Sequence, residues 1–194
     1  MRDRGDHYEY IARYVDDLLI VSREPKSITD ELMNTHQFKL KGTGPIKYHL
    51  GADFFRDKDG VLCMAPKRYI ERMMETYKRM FGSMPCTTYA SPMEKGDHPE
   101  LDTTPELAPE GIKQYQSMIG ATQWTISLGR FDVATAVMTL SGFRAAPREG
   151  HLRRMKRVYG YLYKMKHGTT VPGFLISRQS LPPNINGRTR YTVM

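Results

Sequence analysis

The sequence is poor in cysteine and contains no long hydrophobic run. Of its 194 residues only two are cysteines, Cys63 and Cys86. They lack the spacing of metal ligands, so we expect two free thiols and neither a disulfide nor a zinc site. No apolar stretch approaches the roughly 20 residues that span a bilayer, and the first six residues are too polar for a signal peptide. We therefore expect an intracellular protein with no membrane partner.

Acidic residues are also scarce relative to basic ones. The chain has 29 Lys and Arg against 21 Asp and Glu, which gives a formal net charge of +8. A basic chain suits a polyanionic partner, with nucleic acid first and an acidic membrane surface second. Hydrophobic residues make up 40% of the chain. That fraction can supply a core for one sizeable domain or two small ones, so the chain as a whole is not a disordered tail.

Two adjacent aspartates stand between two apolar stretches near the N-terminus. Residues 8–15 and 18–22 are rich in aromatic and β-branched side chains, which predicts two strands joined by a tight turn at Asp16-Asp17. Neighbouring carboxylates repel each other, so this tip is unfavourable unless a cation binds there. Mg²⁺ prefers hard oxygen ligands and is the obvious candidate, as in enzymes that transfer nucleotidyl groups with two metal ions. The alternative is a plain polar turn, since Asp favours turns.

The rest of the chain divides at a proline-rich stretch. Before it, a short helix opens at Pro25, and apolar residues at helical spacing predict a complete helix between Pro66 and Gly82. After it, the pattern is all-helical and then loses its periodicity. The other predicted elements are a hairpin with strands over 48–56 and 61–65, an extended linker over 83–111, and helices over 112–128, 132–143 and 148–167.

The last predicted helix carries a cluster of basic residues, Arg153, Arg154, Lys156 and Arg157. Only Glu149 lies nearby in the sequence as a counter-charge. These side chains could therefore contact the phosphate backbone of a nucleic acid, without sequence preference and with strong salt dependence. A solvated helix face is an equally good interpretation. Trp124, by contrast, is expected to lie in the core.

Several stretches together resemble one family. Y-V-D-D-L-L-I at 14–20 is followed by F-K-L-K-G-T-G-P-I-K-Y-H-L-G at 38–51 and then by further matching stretches at 60–70, 115–121, 130–134 and 151–162. In this order over residues 8–168, they resemble the reverse transcriptase of copia-type long-terminal-repeat retrotransposons. The resemblance implies that Asp16 and Asp17 are catalytic metal ligands and that Leu50 and Gly51 lie in a hairpin like the primer grip.

The resemblance also implies a fold and a set of partners. The fold would be α+β, the C-terminal part of a polymerase palm followed by an all-helical thumb and connection region. The implied partners are an RNA template, a DNA primer, deoxynucleoside triphosphates with Mg²⁺, and an upstream half of the same polyprotein. The implied divisions are a partial palm over 1–82, the linker over 83–111, the thumb- and connection-like region over 112–168, and a poorly ordered tail over 169–194.

The sequence departs from the family in ways that bear on activity. The family needs another aspartate and nucleotide-holding fingers upstream of the hairpin, and we expect the chain to begin too late to contain them. Arg13 and Phe131 also stand where the family usually has an apolar residue and a proline. We therefore expect a fragment that is inactive alone. Two alternatives stay open, a decayed nucleic-acid-binding module that uses the basic helix and a structural subunit that pairs with the missing half.

Overall fold

The computed structural model of the chain describes residues 1–58, 62–166, 171–172 and 190–193. It divides into two compact units, Met1–Met64 with Pro172–Met194 and Ala65–Val171. The described part of the first unit consists mainly of short strands, and that of the second consists mainly of helices. The protein is therefore a mixed structure of helix and sheet. Among the described residues, no helix is both long and apolar enough to cross a bilayer.

The strands form two sheets with the orders β1-β2-β3-β9-β4 and β5-β6-β7-β8. Neighbouring strands run antiparallel from β1 to β3, from β3 to β9, from β9 to β4, and from β5 to β6. The strands are β1 (Arg2–Asp3), β2 (Tyr8–Tyr14), β3 (Asp17–Ser22), β4 (Gly44–Pro45), β5 (Tyr48–His49), β6 (Ala52–Arg56), β7 (Leu62–Ala65), β8 (Val171–Pro172) and β9 (Arg190–Val193).

The first hairpin is present, but its turn is displaced by one residue from the predicted position. Tyr14 pairs with Asp17, so the two residues in the turn are Val15 and Asp16 rather than the two aspartates. This register sets Glu9 opposite Ser22, whose hydroxyl donates a 2.6 Å hydrogen bond to the buried Glu9 carboxylate. A turn at Asp16-Asp17 would instead set Glu9 opposite Glu24. In the observed register the buried Glu9 carboxylate has a hydrogen-bond donor opposite it, whereas in the predicted register it would face a second carboxylate. This difference explains why the turn is displaced.

The helices agree well with the sequence pattern. The helix predicted between Pro66 and Gly82 is confirmed, and Gly82 ends it with a φ of +76°, as a C-terminal glycine in the left-handed region does. The helices are α1 (Pro25–Asp30), which continues as a π-helical turn (Glu31–Thr35), α2 (Lys67–Phe81), α3 (Pro109–Ser127), α4 (Ala134–Ser141) and α5 (Glu149–Lys164), with 3₁₀ turns at Pro99–Leu101 and Phe131–Val133.

Helices α2 to α5 enclose the core of the second unit. Its members are almost fully buried and come from all four helices, and Tyr115 donates a 2.6 Å hydrogen bond from its hydroxyl to the carbonyl of Leu140. The boundary between the compact units lies at residues 64 and 65 and not at the predicted residue 82. The reason is that α2 buries Ile70, Met73 and Met74 in this helical core.

A buried ion pair explains the Arg-x-Asp sequence before α4. Arg130 is 1% exposed and donates two hydrogen bonds to the Asp132 carboxylate, at 2.9 and 2.7 Å. The side chain of the intervening Phe131 is 62% exposed and takes no part in the ion pair. Because only Arg130 and Asp132 form the pair, a phenylalanine in place of the family's proline is compatible with it.

The proline-rich segment 83–111, predicted to be an extended linker, is packed against the helical unit. It contains the 3₁₀ turn at Pro99–Leu101, and its chain lies directly on α5 at two glycines. A Cβ atom at Gly150 would lie 1.8 Å from the Asp102 carboxylate, and one at Gly160 would lie 1.9 Å from the Cys86 carbonyl oxygen. The predicted tail 169–194 lies outside the described residues except at β8 and β9.

We predict that Gly160→Ala destabilises the protein, whereas Gly120→Ala does not. The new methyl group at position 160 would strike backbone, so the free energy of unfolding should fall by about 1–3 kcal/mol. Gly120 lies in α3 with no atom within 4 Å of its would-be Cβ, so the same change there should raise the free energy of unfolding by up to about 1 kcal/mol. Urea unfolding of both variants checks the opposite signs. Equal effects would contradict the close contact at Gly160.

Candidate functional site

The tip of the β2–β3 hairpin holds both predicted metal ligands. Val15 and Asp16 form the turn, and Asp17 begins β3 opposite Tyr14. Val15 has a φ of +50°, which is unfavourable for a β-branched residue, and it is 71% exposed. Asp16 is exposed, and the side chain of Asp17 is 54% exposed. The hairpin therefore carries two consecutive carboxylates at its tip. Both are exposed, so a ligand from solvent can reach them.

The predicted primer-grip residues form a second tight turn. Leu50 has a φ of +51° and Gly51 a φ of +94°, and together they join β5 to β6. Two successive residues in the left-handed region are typical of a type I′ hairpin turn. The single strand that the sequence predicts over 48–56 is thus two strands. This turn sets His49 opposite Ala52, at the end of β5.

The structure brings His49 to the acidic hairpin, which the sequence analysis missed. Nδ1 of His49 lies 3.7 Å from Oδ2 of Asp17. The His49 side chain is only 10% exposed, and its Nδ1 has no hydrogen-bond partner. The two residues are 32 positions apart, so no local pattern indicates the contact. The one available signal was that His49 directly precedes the Leu50-Gly51 turn.

The donor atoms at the tip suit a hard divalent cation only in part. Asp16 and Asp17 offer the carboxylate oxygens that Mg²⁺ prefers, and substrate phosphates and water commonly complete such a shell. Within the described part of the chain, no group of three or more His, Cys, Asp or Glu side chains is arranged to hold a metal ion. Asp16 and Asp17 could therefore hold one side of a Mg²⁺ shell, but they do not complete a two-metal site.

The basic helix α5 is less free than its sequence indicates. Arg154 donates hydrogen bonds of 2.8–3.0 Å to both oxygens of Asp97 and a further one to Asp102. Its side chain is 21% exposed, and those of Asp97 and Asp102 are 16% and 5% exposed. Glu149 is the only counter-charge near this helix in the sequence, but the fold adds Asp97, Asp102 and Glu94. These counter-charges come from the segment that was predicted to be an extended linker.

These contacts hold both carboxyl groups in the ionised form. The hydrogen bonds from Arg154 lower the pKa of Asp97 below its ordinary value. Burial alone would raise the pKa of Asp102, but hydrogen bonds from Thr104 and Arg154 outweigh it and hold that pKa well below the usual range. The same carboxylates raise the pKa of Arg154. The cluster is thus a stable ion network at every physiological pH.

The other three predicted phosphate-binding residues differ in their surroundings. Arg157 donates to the Glu94 carboxylate at 2.5 Å and lies over the Tyr89 ring, 4.7 Å from its centroid. Lys156 lies over the Phe81 ring, with its Nζ 4.0 Å from the centroid. Arg153 is exposed. Contact of these four residues with nucleic acid stays a prediction, but two of the four guanidinium and ammonium groups already have carboxylate partners.

One aromatic residue lies where the sequence did not predict it. Trp124 was expected in the core, yet 42% of it is exposed on α3. The core positions of that helix are instead Tyr115, Met118 and Ile119, all fully buried. Trp124 follows Thr122 and precedes Thr125, and both of these threonines are fully buried. The hydroxyl of Thr122 donates to the Met118 carbonyl, and that of Thr125 donates to the Thr122 carbonyl. Because both hydroxyls have acceptors within the helix, the two threonines can occupy buried positions.

Two retrotransposon proteins are similar to the chain over most of its length. The retrovirus-related Pol polyprotein from transposon RE1 of Arabidopsis thaliana is 31% identical over 160 residues, which is 82% of this chain and 10% of the polyprotein. A protein ascribed to transposon Ty5-1 in Saccharomyces cerevisiae is 31% identical over 166 residues, 84% of this chain and 51% of that protein. The chain thus spans about half the length of one relative and about a tenth of the other. No family model matches the chain, and no solved structure does.

We predict that Asp97→Asn lowers stability in a way that depends on pH. The variant keeps the shape of the side chain but loses the charge that Arg154 binds, so unfolding should cost about 1–3 kcal/mol less at neutral pH. Because the folded pKa of Asp97 is depressed, this difference should be complete above about pH 4 and should vanish as the pH falls through the folded pKa.

Urea unfolding of both proteins between pH 2 and 7 measures this difference. Glu75→Gln is the matched control, since Glu75 is an exposed carboxylate on α2, and it should change the free energy of unfolding by less than about 0.5 kcal/mol. A difference between wild type and Asp97→Asn that stays constant down to pH 2 would contradict the assigned ion pair.

Proposed function

We propose, since this chain is a copia-type long-terminal-repeat retrotransposon protein, that it is part of an RNA-directed DNA polymerase whose acidic hairpin binds Mg²⁺. The observation that carries the proposal is the exposed Asp16-Asp17 pair at the tip of the β2–β3 hairpin, with Asp16 in the turn and Asp17 at the start of β3. The similarity to a Pol polyprotein supports it, because it covers most of this chain. The substrates would be a template–primer duplex and deoxynucleoside triphosphates.

Asp16 and Asp17 would be the ligands of the cation in this function. Bound Mg²⁺ supplies charge stabilisation to the triphosphate and lowers the pKa of the attacking 3′-hydroxyl. The protein's own part is to hold the two carboxylates at a fixed separation. The antiparallel pairing from Tyr10–Val21 to Tyr14–Asp17 provides that rigidity, because each strand fixes the other close to the tip. Exposure of both side chains leaves room for the substrate to provide the remaining ligands.

We propose further that the chain alone does not extend primers. Two-metal chemistry needs more carboxylate ligands than the described residues bring to the tip. Positioning and charge stabilisation account for most of phosphoryl-transfer catalysis, so an incomplete site should lose nearly all activity. A palm fold for the first unit and a thumb or connection role for the helical unit are parts of the same proposal.

A nucleic-acid-binding module that uses α5 is the weaker candidate. Arg154 and Arg157 already have carboxylate partners, which leaves Arg153 as the exposed guanidinium group of the helix. Duplex binding that survives Asp16→Asn but is lost in Arg153→Gln would favour this candidate. Its salt dependence would be shallow, because each released counter-ion requires an available cation.

The proposed function predicts that Asp16→Asn abolishes the effect of Mg²⁺ on nucleotide binding. With an RNA template, a dideoxy-terminated DNA primer and the matching deoxynucleotide, Mg²⁺ should tighten nucleotide binding to the wild-type chain by at least about tenfold. In EDTA, the variant should bind the nucleotide no more weakly than wild type, since it lacks one charge that repels phosphate. Isothermal titration calorimetry measures both conditions.

Asp30→Asn on α1 is the matched control and should respond to Mg²⁺ as the wild type does. An identical Mg²⁺ response in wild type and Asp16→Asn would overturn the proposed role of the hairpin. A parallel primer-extension assay should give no product with the chain alone. Mg²⁺-dependent product that Asp16→Asn abolishes would keep the polymerase assignment and overturn the proposed inactivity.

A further inference from the structure

His49 differs from the other histidines that lie beside a carboxylate in the described chain. His7 contacts Asp6 at 2.6 Å, and His98 contacts Glu100 at 2.8 Å, both within direct hydrogen-bond distance. His49 is 3.7 Å from Asp17, which is too far for a hydrogen bond. Its Nδ1 nevertheless faces the carboxylate and is buried without another partner. A ligand that lies between this nitrogen and Asp17 would give it the partner that it lacks.

A metal ion fits the separation between these two atoms. Metal–nitrogen and metal–oxygen bonds of about 2.0–2.2 Å at a tetrahedral ion set two ligand atoms about 3.4 Å apart. The observed distance of 3.7 Å requires only a slightly wider angle at the ion or a shift of a few tenths of an ångström. A buried polar atom without a partner is unfavourable, so coordination would also remove that cost.

The chemistry of the ligands selects the kind of ion. A neutral imidazole nitrogen suits Zn²⁺, Cu²⁺, Fe²⁺ and Ni²⁺, whereas Mg²⁺ is bound through oxygen. We propose that Asp17 and His49 form a mixed oxygen–nitrogen site for a divalent transition-metal ion, with water or phosphate in the open positions. Catalytic zinc sites also leave a position open to an exchangeable ligand. An ion at this site would compete with Mg²⁺ for Asp17.

The fold holds the two ligands in place. Asp17 is fixed by its pairing with Tyr14 at the start of β3, and His49 by its pairing with Ala52 beside the left-handed turn of Leu50 and Gly51. Neither residue lies on a long loop. The inference concerns the same carboxylate as the proposed function, but it rests on the position of His49, which that function does not use.

Titration of the 194-residue chain with Zn²⁺ at pH 7.5 tests the site. His49→Gln and Asp17→Asn should each raise the dissociation constant for Zn²⁺ by at least about tenfold, as loss of one ligand does at a site with few protein ligands. His7→Gln is the matched control, since His7 also lies beside an aspartate but has a direct hydrogen bond, and it should leave the constant unchanged. Equal affinity in wild type and His49→Gln would overturn the proposal.

Imidazole ¹H–¹⁵N spectra of the wild-type chain test the same point without a substitution. Zn²⁺ should shift the Nδ1 resonance of His49 far more than Mg²⁺ at equal concentration does, because only Zn²⁺ would bind the nitrogen directly. No shift with Zn²⁺, or an equal shift with both ions, would overturn the transition-metal site. The outcome is independent of the nucleotide titration, which uses Mg²⁺ and Asp16. Failure of one experiment therefore leaves the other inference standing.

Discussion

The close contact between segment 83–111 and α5 determines the structure of the helical unit. Two glycines on α5 allow backbone and carboxylate to approach to distances that any side chain would prevent. Arg154 then lies in a largely buried position, which is favourable only because Asp97 and Asp102 neutralise it. The glycines and the ion network depend on each other, since the carboxylates reach Arg154 only if the segment lies this near. Two arginines of the basic helix, Arg154 and Arg157, therefore bind carboxylates of the same unit, which reduces the capacity of the helix to bind phosphate.

The strand-rich unit depends on a different constraint, the conformation of two tight turns. Val15 and Leu50 both have positive φ angles, which cost energy in residues with a Cβ atom. The positive φ of Val15 occurs in the register that buries Glu9 against Ser22. The same register makes Asp17 the first residue of β3. The positive φ of Leu50 occurs in the type I′ turn that sets His49 at the end of β5. The two strained residues therefore flank the atoms of the candidate site on both sides.

Local periodicity was enough to predict most helices but not the contacts between distant segments. The apolar spacing of α2 and its terminal Gly82 fixed that helix within one or two residues, because these signals act within a single turn. The pairing of Arg154 with Asp97 joins residues 57 positions apart, and prolines in the intervening segment indicated only a linker. Turn composition favoured Asp16-Asp17, yet the burial of Glu9 opposite Ser22 decided the register. In both cases a hydrogen bond to a buried or half-buried charged group, made by a residue outside the local segment, outweighed local preference.

The two ions inferred for the hairpin place different demands on the same carboxylate. The side chain of Asp17 is 54% exposed, and its Oδ2 lies 3.7 Å from the buried Nδ1 of His49. An ion held by oxygen ligands alone needs no help from His49, whereas an ion between Asp17 and His49 draws the carboxylate toward β5. Since Asp17 has only two oxygens, occupancy of the second position would limit how freely the carboxylate can orient toward the first. In the two proposals taken together, the Leu50-Gly51 turn would govern metal selectivity at this tip, because it positions His49 relative to Asp17.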